Sequence, residues 1–135
     1  MGDLKIGQVK INKALIVDDD EISRFLIEHV INQLGVVREI VSITNGKEAV
    51  EFYLASGKNY PDLVILDIRM PLLDGFEFLD WYESNGLSGK SKFVILTSSE
   101  RDIDMDKAKE YQDIIGYISK PLTSKNIRKV VLQLV

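Results

Sequence analysis

The sequence predicts a doubly wound α/β fold, a parallel sheet covered by helices on both faces. Three observations lead there. Five short runs rich in Val, Ile and Leu recur along the 135 residues, at 14–17, 39–43, 63–66, 93–96 and 114–118. Runs such as Leu63-Val64-Ile65-Leu66 lack the apolar–polar alternation of a half-solvated strand, so both of their faces need covering. The stretches between the runs are each long enough for one helix and carry residues that start and stop helices.

Taken in order, the first run leads to Asp20, after which Ile22, Phe25, Leu26, Val30 and Leu34 recur at three and four, the spacing of one helix face. Gly35 follows, where a left-handed terminator is wanted. After the second run Asn45 can cap a helix with the stripe Ala49, Val50, Tyr53 and Leu54, ending near Gly57. The third helix spans about 75–84 with Phe76, Phe78, Leu79 and Tyr82 inward, and stops at Asn85-Gly86. The fourth, about 100–111, is the most charged; Ile103, Met105 and Ala108 are its main core residues, and it is expected to be the least firmly held. The last begins after Pro121 with Thr123 or Ser124 as cap and packs Ile127, Val130, Val131 and Leu134.

Composition narrows the function classes. The chain is 45% hydrophobic, enough for one continuous core, and a second folded domain has no room. Lys and Arg total 17 against 21 Asp and Glu, a net charge of -4, with no long basic run and no aromatic-basic interleaving; direct nucleic-acid binding is not expected. The absence of cysteine rules out disulfides and thiolate metal sites and suits the reducing cytoplasm. No signal peptide and no apolar stretch long enough for a membrane span is visible.

In a sheet of repeated strand–helix units with right-handed crossovers, ligands bind where the carboxyl ends of the strands meet the loops. Asp18-Asp19-Asp20 ends the first run and Asp67 the third. Carboxylates crowded there raise at least one pKa strongly unless a hard divalent cation removes the repulsion. Magnesium is the natural candidate, since one or two carboxylates together with phosphate oxygens typically hold it; the spaced oxygen ligands of an EF-hand calcium loop are missing. Thr97-Ser98-Ser99 and Ser119-Lys120-Pro121 end the fourth and fifth runs and bring hydroxyls and a cation to the same rim. Such a pocket suits a group with several anionic oxygens, a phosphoryl group above all, and there is no Gly-rich cradle for a nucleotide.

These motifs resemble those of response regulator receiver domains: Leu15-Ile16-Val17-Asp18-Asp19-Asp20, then Asp62-Leu63-Val64-Ile65-Leu66-Asp67 followed by Met70-Pro71 and Asp74-Gly75, then Val94-Ile95-Leu96-Thr97, then Tyr117-Ile118-Ser119-Lys120-Pro121. The resemblance runs from about Lys13 to the C-terminus, with 1–12 as an N-terminal extension and 13–135 as the receiver. It implies the flavodoxin-like fold with strand order 2-1-3-4-5. It implies that Asp67 is the phosphoacceptor, taking its group from a phosphohistidine of a histidine kinase or histidine phosphotransfer protein. Asp18, Asp19, Asp67 and the backbone carbonyl of Arg69 would hold Mg2+, Lys120 would pair with a phosphoryl oxygen, and Lys120-Pro121 is expected as a cis peptide that aims the lysine inward. Thr97 and Tyr117 would be the switch pair, altering the face made by helix four, strand five and helix five, through which partners or a second copy would dock. Two positions after the acceptor lies Arg69, and two after the threonine Ser99, flanking the path of the hydrolysing water. Arg69 is expected to shield the acyl phosphate or to pair with a nearby acid and so change its lifetime. Ser98 stands where the family often has alanine, which should leave the entry to the site open.

Plainer readings apply elsewhere. Asp20 is read as a helix cap, and His29, the only histidine, as structural on the inner or flanking side of the first helix. Trp81, Phe76 and Phe78 are read as helix packing and Asp102, Asp104 and Asp106 as a solvated face. A phosphatase of the haloacid dehalogenase kind needs a second acid two residues after its nucleophile, where this chain has Arg69. A flavin or nucleotide module needs a phosphate loop where this chain has three aspartates. A receiver acting as a docking adaptor stays open. With its last residues in a helix, the chain reads as a stand-alone receiver without catalytic turnover of an external substrate.

Overall fold

The computed structural model describes residues 8–98 and 102–134, with the side chains of 102 and 103 outside that description. Its elements run β1 (Ile11–Val17), α1 (Glu21–Leu34), β2 (Val37–Ile43), α2 (Gly46–Ala55), β3 (Leu63–Asp67), α3 (Gly75–Ser84), β4 (Lys92–Thr97), α4 (Asp102–Ala108), β5 (Ile114–Ser119) and α5 (Ser124–Leu134). The strands are parallel in the order β2-β1-β3-β4-β5, the order that the resemblance implies.

Each run of the sequence lies inside a strand. The largest extension is at β1, which begins at Ile11, paired with Val37 of β2, and whose Asn12 and Lys13 N–H groups on the β3 side both donate to Asp62 Oδ2, at 2.9 and 3.0 Å. A side chain thus supplies acceptors before the β3 backbone does, and two polar residues can join a strand that periodicity alone would start later.

Two apolar layers flank the sheet. On one face Leu15, Val17, Val64, Leu66, Phe93 and Ile95 meet α2 and α3; on the other Ile16, Ile65, Val94 and Leu96 meet α1 and α5. Strand residues of both layers are buried, which is why the runs show no alternation.

The inner stripe of α1 differs from the sequence expectation. Ile27, Val30, Ile31 and Leu34 are buried, whereas Ile22 and Phe25 are 78% and 68% exposed. The helix carries apolar residues on two faces, and the sheet covers only one. His29 is also exposed, on the outer face, its ring stacked on Phe25 with centroids 6.0 Å apart. In α2, Ala49 and Tyr53 point inward as expected, and Leu54 points to solvent.

The helix starts follow the caps. Asp20 accepts from Ile22 N–H, Asn45 from Glu48 N–H, and Asp74 forms a capping box with Glu77. Thr123 and Asn126 exchange side-chain to backbone hydrogen bonds at the start of α5. Gly35, at φ 67°, ends α1 with its N–H on Ile31 O.

Hold on the core varies between helices. Helix α3 buries Phe78, Leu79 and Tyr82 almost completely, and each such side chain contributes about 2 kcal/mol. In α4, seven residues long, the described buried side chains are Asp104 and Ala108. The expected start of this helix at Glu100 lies outside the described residues, as does the side chain of Ile103.

Candidate functional site

The parallel register carries the site residues to one rim. Val17 lies opposite Leu66 and Leu66 opposite Ile95, so the residues that follow β1, end β3 and end β4 converge. Thr97 pairs with Ser119 at the next step, which delivers Lys120 to the same edge, and Lys120 N–H donates to Thr97 O at 2.7 Å.

The loop after β3 is closed tightly. Gly75 N–H donates to Ile68 O at 2.9 Å, and α3 begins so near β3 that a Cβ on Gly75 would lie 2.6 Å from Asp67 O and 2.9 Å from Ile68 Cα. Glycine is required there because backbone, not a flexible side chain, occupies the space. The start of α3 therefore braces the backbone of Asp67.

Asp18 and Asp67 are buried, while Asp19 is exposed. One carboxylate oxygen from each of the three lies within 4.8 Å of the others. Lys120 Nζ stands 3.1 Å from Asp18 Oδ2 and 3.2 Å from Asp67 Oδ2, with its side chain 18% exposed. Asp18 Oδ1 accepts from Asp20 N–H and Asp67 Oδ1 from Arg69 N–H. Asp18 Oδ2, fully buried, faces Nζ but has no hydrogen-bond partner of acceptable direction.

One cation thus faces two buried anions. Burial first, and then the Asp18 charge, push the Asp67 carboxyl up to about 7 from its ordinary 3.8; Lys120 and the Arg69 N–H offset only part of this. Burial works against the charge on Lys120, yet the two carboxylates outweigh it and its pKa rises. The donor set, hard oxygens in excess of the cations present, fits a divalent ion of the magnesium type, and Asp18 Oδ2, ion-paired with Lys120 but without a hydrogen bond, is an oxygen such an ion would satisfy.

The remaining candidates fall as follows. Thr97 is buried at the end of β4. Tyr117 is half-buried on β5 and packs on the layer containing Ile95; it lies opposite Ile95 in register, so it shares a sheet face with Thr97. Ser98 is exposed, and Ser99 lies outside the described residues. Lys120–Pro121 is a cis peptide. Asp20 caps α1 through both oxygens, to Ile22 N–H and Ser23 Oγ. Arg69 turns its guanidinium to Asp104, at 3.1 and 2.9 Å, realising the expected pairing with an acid.

Asp104 corrects the sequence reading of a solvated acidic face. It is buried, because α4 turns it toward Arg69, while Asp106 stays exposed beside Lys109. Arg24 was missed altogether: its Nη1 donates to Asp18 O at 2.7 Å. Its signal was the position four residues after the cap Asp20, which puts it over the first turn of α1 and the end of β1.

The sequence profile of the response regulator receiver domain matches residues 14–132. This chain belongs to that family. As a receiver it is 33% identical over 121 residues to the chemotaxis protein CheY of Halobacterium salinarum, covering 88% of this chain and 92% of that one. It is also 33% identical over 118 residues to the autoinducer 1 sensor kinase/phosphatase LuxN of Vibrio campbellii, covering 87% of this chain. The chain spans only 13% of that sensor kinase. A solved two-component response regulator from Cytophaga hutchinsonii superposes with a TM-score of 0.77 at 32% identity, covering 93% of this receiver and 97% of that chain. The receiver is thus a domain of two-component signalling with the fold and acidic pocket of its family, and no helix among its described residues is long and apolar enough to cross a membrane.

Proposed function

We propose that this receiver is a phosphoacceptor switch: Asp67 takes a phosphoryl group from a phosphohistidine of a histidine kinase or histidine phosphotransfer protein. One observation carries the reading: a buried Asp67 carboxylate that shares the Lys120 ammonium with Asp18 at the rim where β1, β3, β4 and β5 end. A carboxylate oxygen of Asp67 attacks phosphorus, the O–P bond forms as the P–N bond breaks, and the imidazole leaves with its electron pair. An in-line transfer of this kind is promoted by positioning and charge neutralisation more than by covalent help.

Mg2+ would be held by Asp18, Asp19, Asp67 and the Arg69 carbonyl, and when bound it supplies positive charge to the phosphoryl oxygens. Lys120 pairs with one of those oxygens, exchanging a carboxylate for a more highly charged acceptor. Thr97 is drawn toward the group, and Tyr117, on the same sheet face, turns into the space it leaves; the α4-β5-α5 face changes shape, and a downstream protein or a second copy docks there. Residues 13–135 form the signalling unit and 1–12 an N-terminal extension, of which Ile11 and Asn12 join β1. Cytoplasmic placement, no direct nucleic-acid contact and no turnover of an external substrate complete the reading.

The test is incubation with Mg2+ and acetyl phosphate followed by intact mass measurement beside Asp67→Asn. The parent should gain the mass of one phosphoryl group and the variant none; a gain in both, or in neither, removes Asp67 from the role.

A further inference from the structure

Arg69 joins the acceptor to another element. Its backbone N–H donates to Asp67 Oδ1 at 3.2 Å, so the residue starts at the acceptor carboxylate. Its guanidinium Nη2 donates to both oxygens of Asp104, at 3.1 and 2.9 Å. The two ends of this contact are unequal: the Arg69 side chain is 53% exposed and that of Asp104 8%. Among the described residues no other hydrogen bond or ion pair reaches the Asp104 carboxylate.

Among its described residues, helix α4 has little else to hold it. Its other buried described side chain is the single methyl of Ala108, and Lys107 Nζ rests over the Phe76 ring at 4.8 Å. An ion pair therefore takes the place that an apolar stripe fills in α3. A charge-based anchor answers to charge, and a new charge is introduced at Asp67 when it is phosphorylated.

We propose that Arg69 and Asp104 form a counter-ion switch: the guanidinium anchors α4 through Asp104 while Asp67 is a bare carboxylate, and moves to the phosphoryl group once Asp67 carries one, releasing α4. This rests on the reading of Asp67 as the phosphoacceptor. A phosphoryl group brings about -1.5 to -2 charge and three acceptor oxygens, and a guanidinium binds such a group through paired hydrogen bonds. Asp104, left buried without its cation, is driven toward water, and a helix with few buried apolar side chains among its described residues can follow it. Coupling of this kind is reciprocal, so what holds Arg69 on Asp104 also weakens its hold on the phosphoryl group.

The experiment titrates beryllofluoride, a tetrahedral phosphoryl mimic, in the presence of Mg2+ onto the full chain, Asp104→Asn, Arg69→Ala and the double variant. Asp104→Asn should bind about 5-fold tighter than the parent and Arg69→Ala weaker, with the double variant matching Arg69→Ala. Amide exchange in 104–108 should quicken on beryllofluoride in the parent and already be fast in free Asp104→Asn. Unchanged affinity in Asp104→Asn, or an equal gain from it in the Arg69→Ala background, would overturn the switch, because a merely structural Asp104 does not act through Arg69. If the parent neither binds beryllofluoride nor gains phosphoryl mass, the phosphoacceptor reading itself has failed and the switch falls with it; binding without an Asp104 effect refutes the switch alone.

Discussion

Replacing Asp67 by asparagine should make the metal-free protein more stable, and the gain should grow with pH. In the folded chain the Asp67 carboxyl is pushed from 3.8 to about 7, chiefly by burial and then by the Asp18 charge. The sign follows from proton counts. Between those two values the folded state binds more protons than the unfolded one, so raising pH through that window costs the fold stability. The full shift corresponds to about 4 kcal/mol once both states are ionised. Rearrangement around the charge and water entry reduce this in practice, leaving an expected gain on the order of 2 kcal/mol for Asp67→Asn near pH 8. Near pH 4 the parent's Asp67 is protonated when folded, and the gain should be close to zero. The substituted amide keeps an oxygen for the Arg69 N–H and turns a donor toward Lys120 Nζ, as the protonated acid does near pH 4, so the change of the gain with pH reports the charge. The assay is urea unfolding of both proteins with chelator across that pH range. A gain that is the same at both ends, or a variant less stable near pH 8, would refute the idea that burial and Asp18 strain the acceptor. Adding Mg2+ near pH 8 should raise the urea midpoint of the parent and leave that of the variant nearly unmoved.

Three further outcomes follow from the geometry. Gly75→Ala should lose about 2 kcal/mol or more in urea unfolding, because its Cβ would meet Asp67 O at 2.6 Å and only backbone can move; unchanged stability would show that the start of α3 does not brace the acceptor. Leu72→Gly should gain about 1 kcal/mol, since Leu72 is 76% exposed and holds a φ of 71°, leaving strain to relieve and little packing to lose; a loss in thermal or urea unfolding contradicts this. Tyr82→Phe should lose about 1–2 kcal/mol, because its hydroxyl donates to Asp113 at 2.7 Å and accepts from Ser91 N–H at 3.0 Å in a buried setting. Equal urea midpoints for Tyr82→Phe and parent would mean that water replaces the hydroxyl there.

The parts of the fold that were legible are those where burial is two-sided. Leu63 to Leu66 read as a strand since each residue is covered, and the caps Asp20 and Asn45 read correctly since a cap acts on its own next turn. Strand order came from resemblance, because apolar runs do not encode which neighbour they take. Ile22 and Phe25 misled because α1 carries apolar residues around more than one face, and periodicity cannot say which face meets the sheet. The acids at the strand ends were legible from position alone. Asp104 was not: its burial depends on Arg69, 35 residues away, and a local pattern of alternating acids looks solvated whichever one is turned inward. The polar cluster of Tyr53, Ser91 and Tyr82 with Asp113, at the opposite end of the sheet, was illegible for the same reason, since its members come from separate segments.

The most direct measurement traps the acyl phosphate chemically and locates it. After exposure to a phosphodonor with Mg2+, borohydride reduction converts a phosphorylated aspartate to homoserine, and peptide sequencing by mass reads its position. The account predicts homoserine at position 67 alone; homoserine at Asp18 or Asp19, or an unreduced chain that had gained phosphoryl mass, would contradict it.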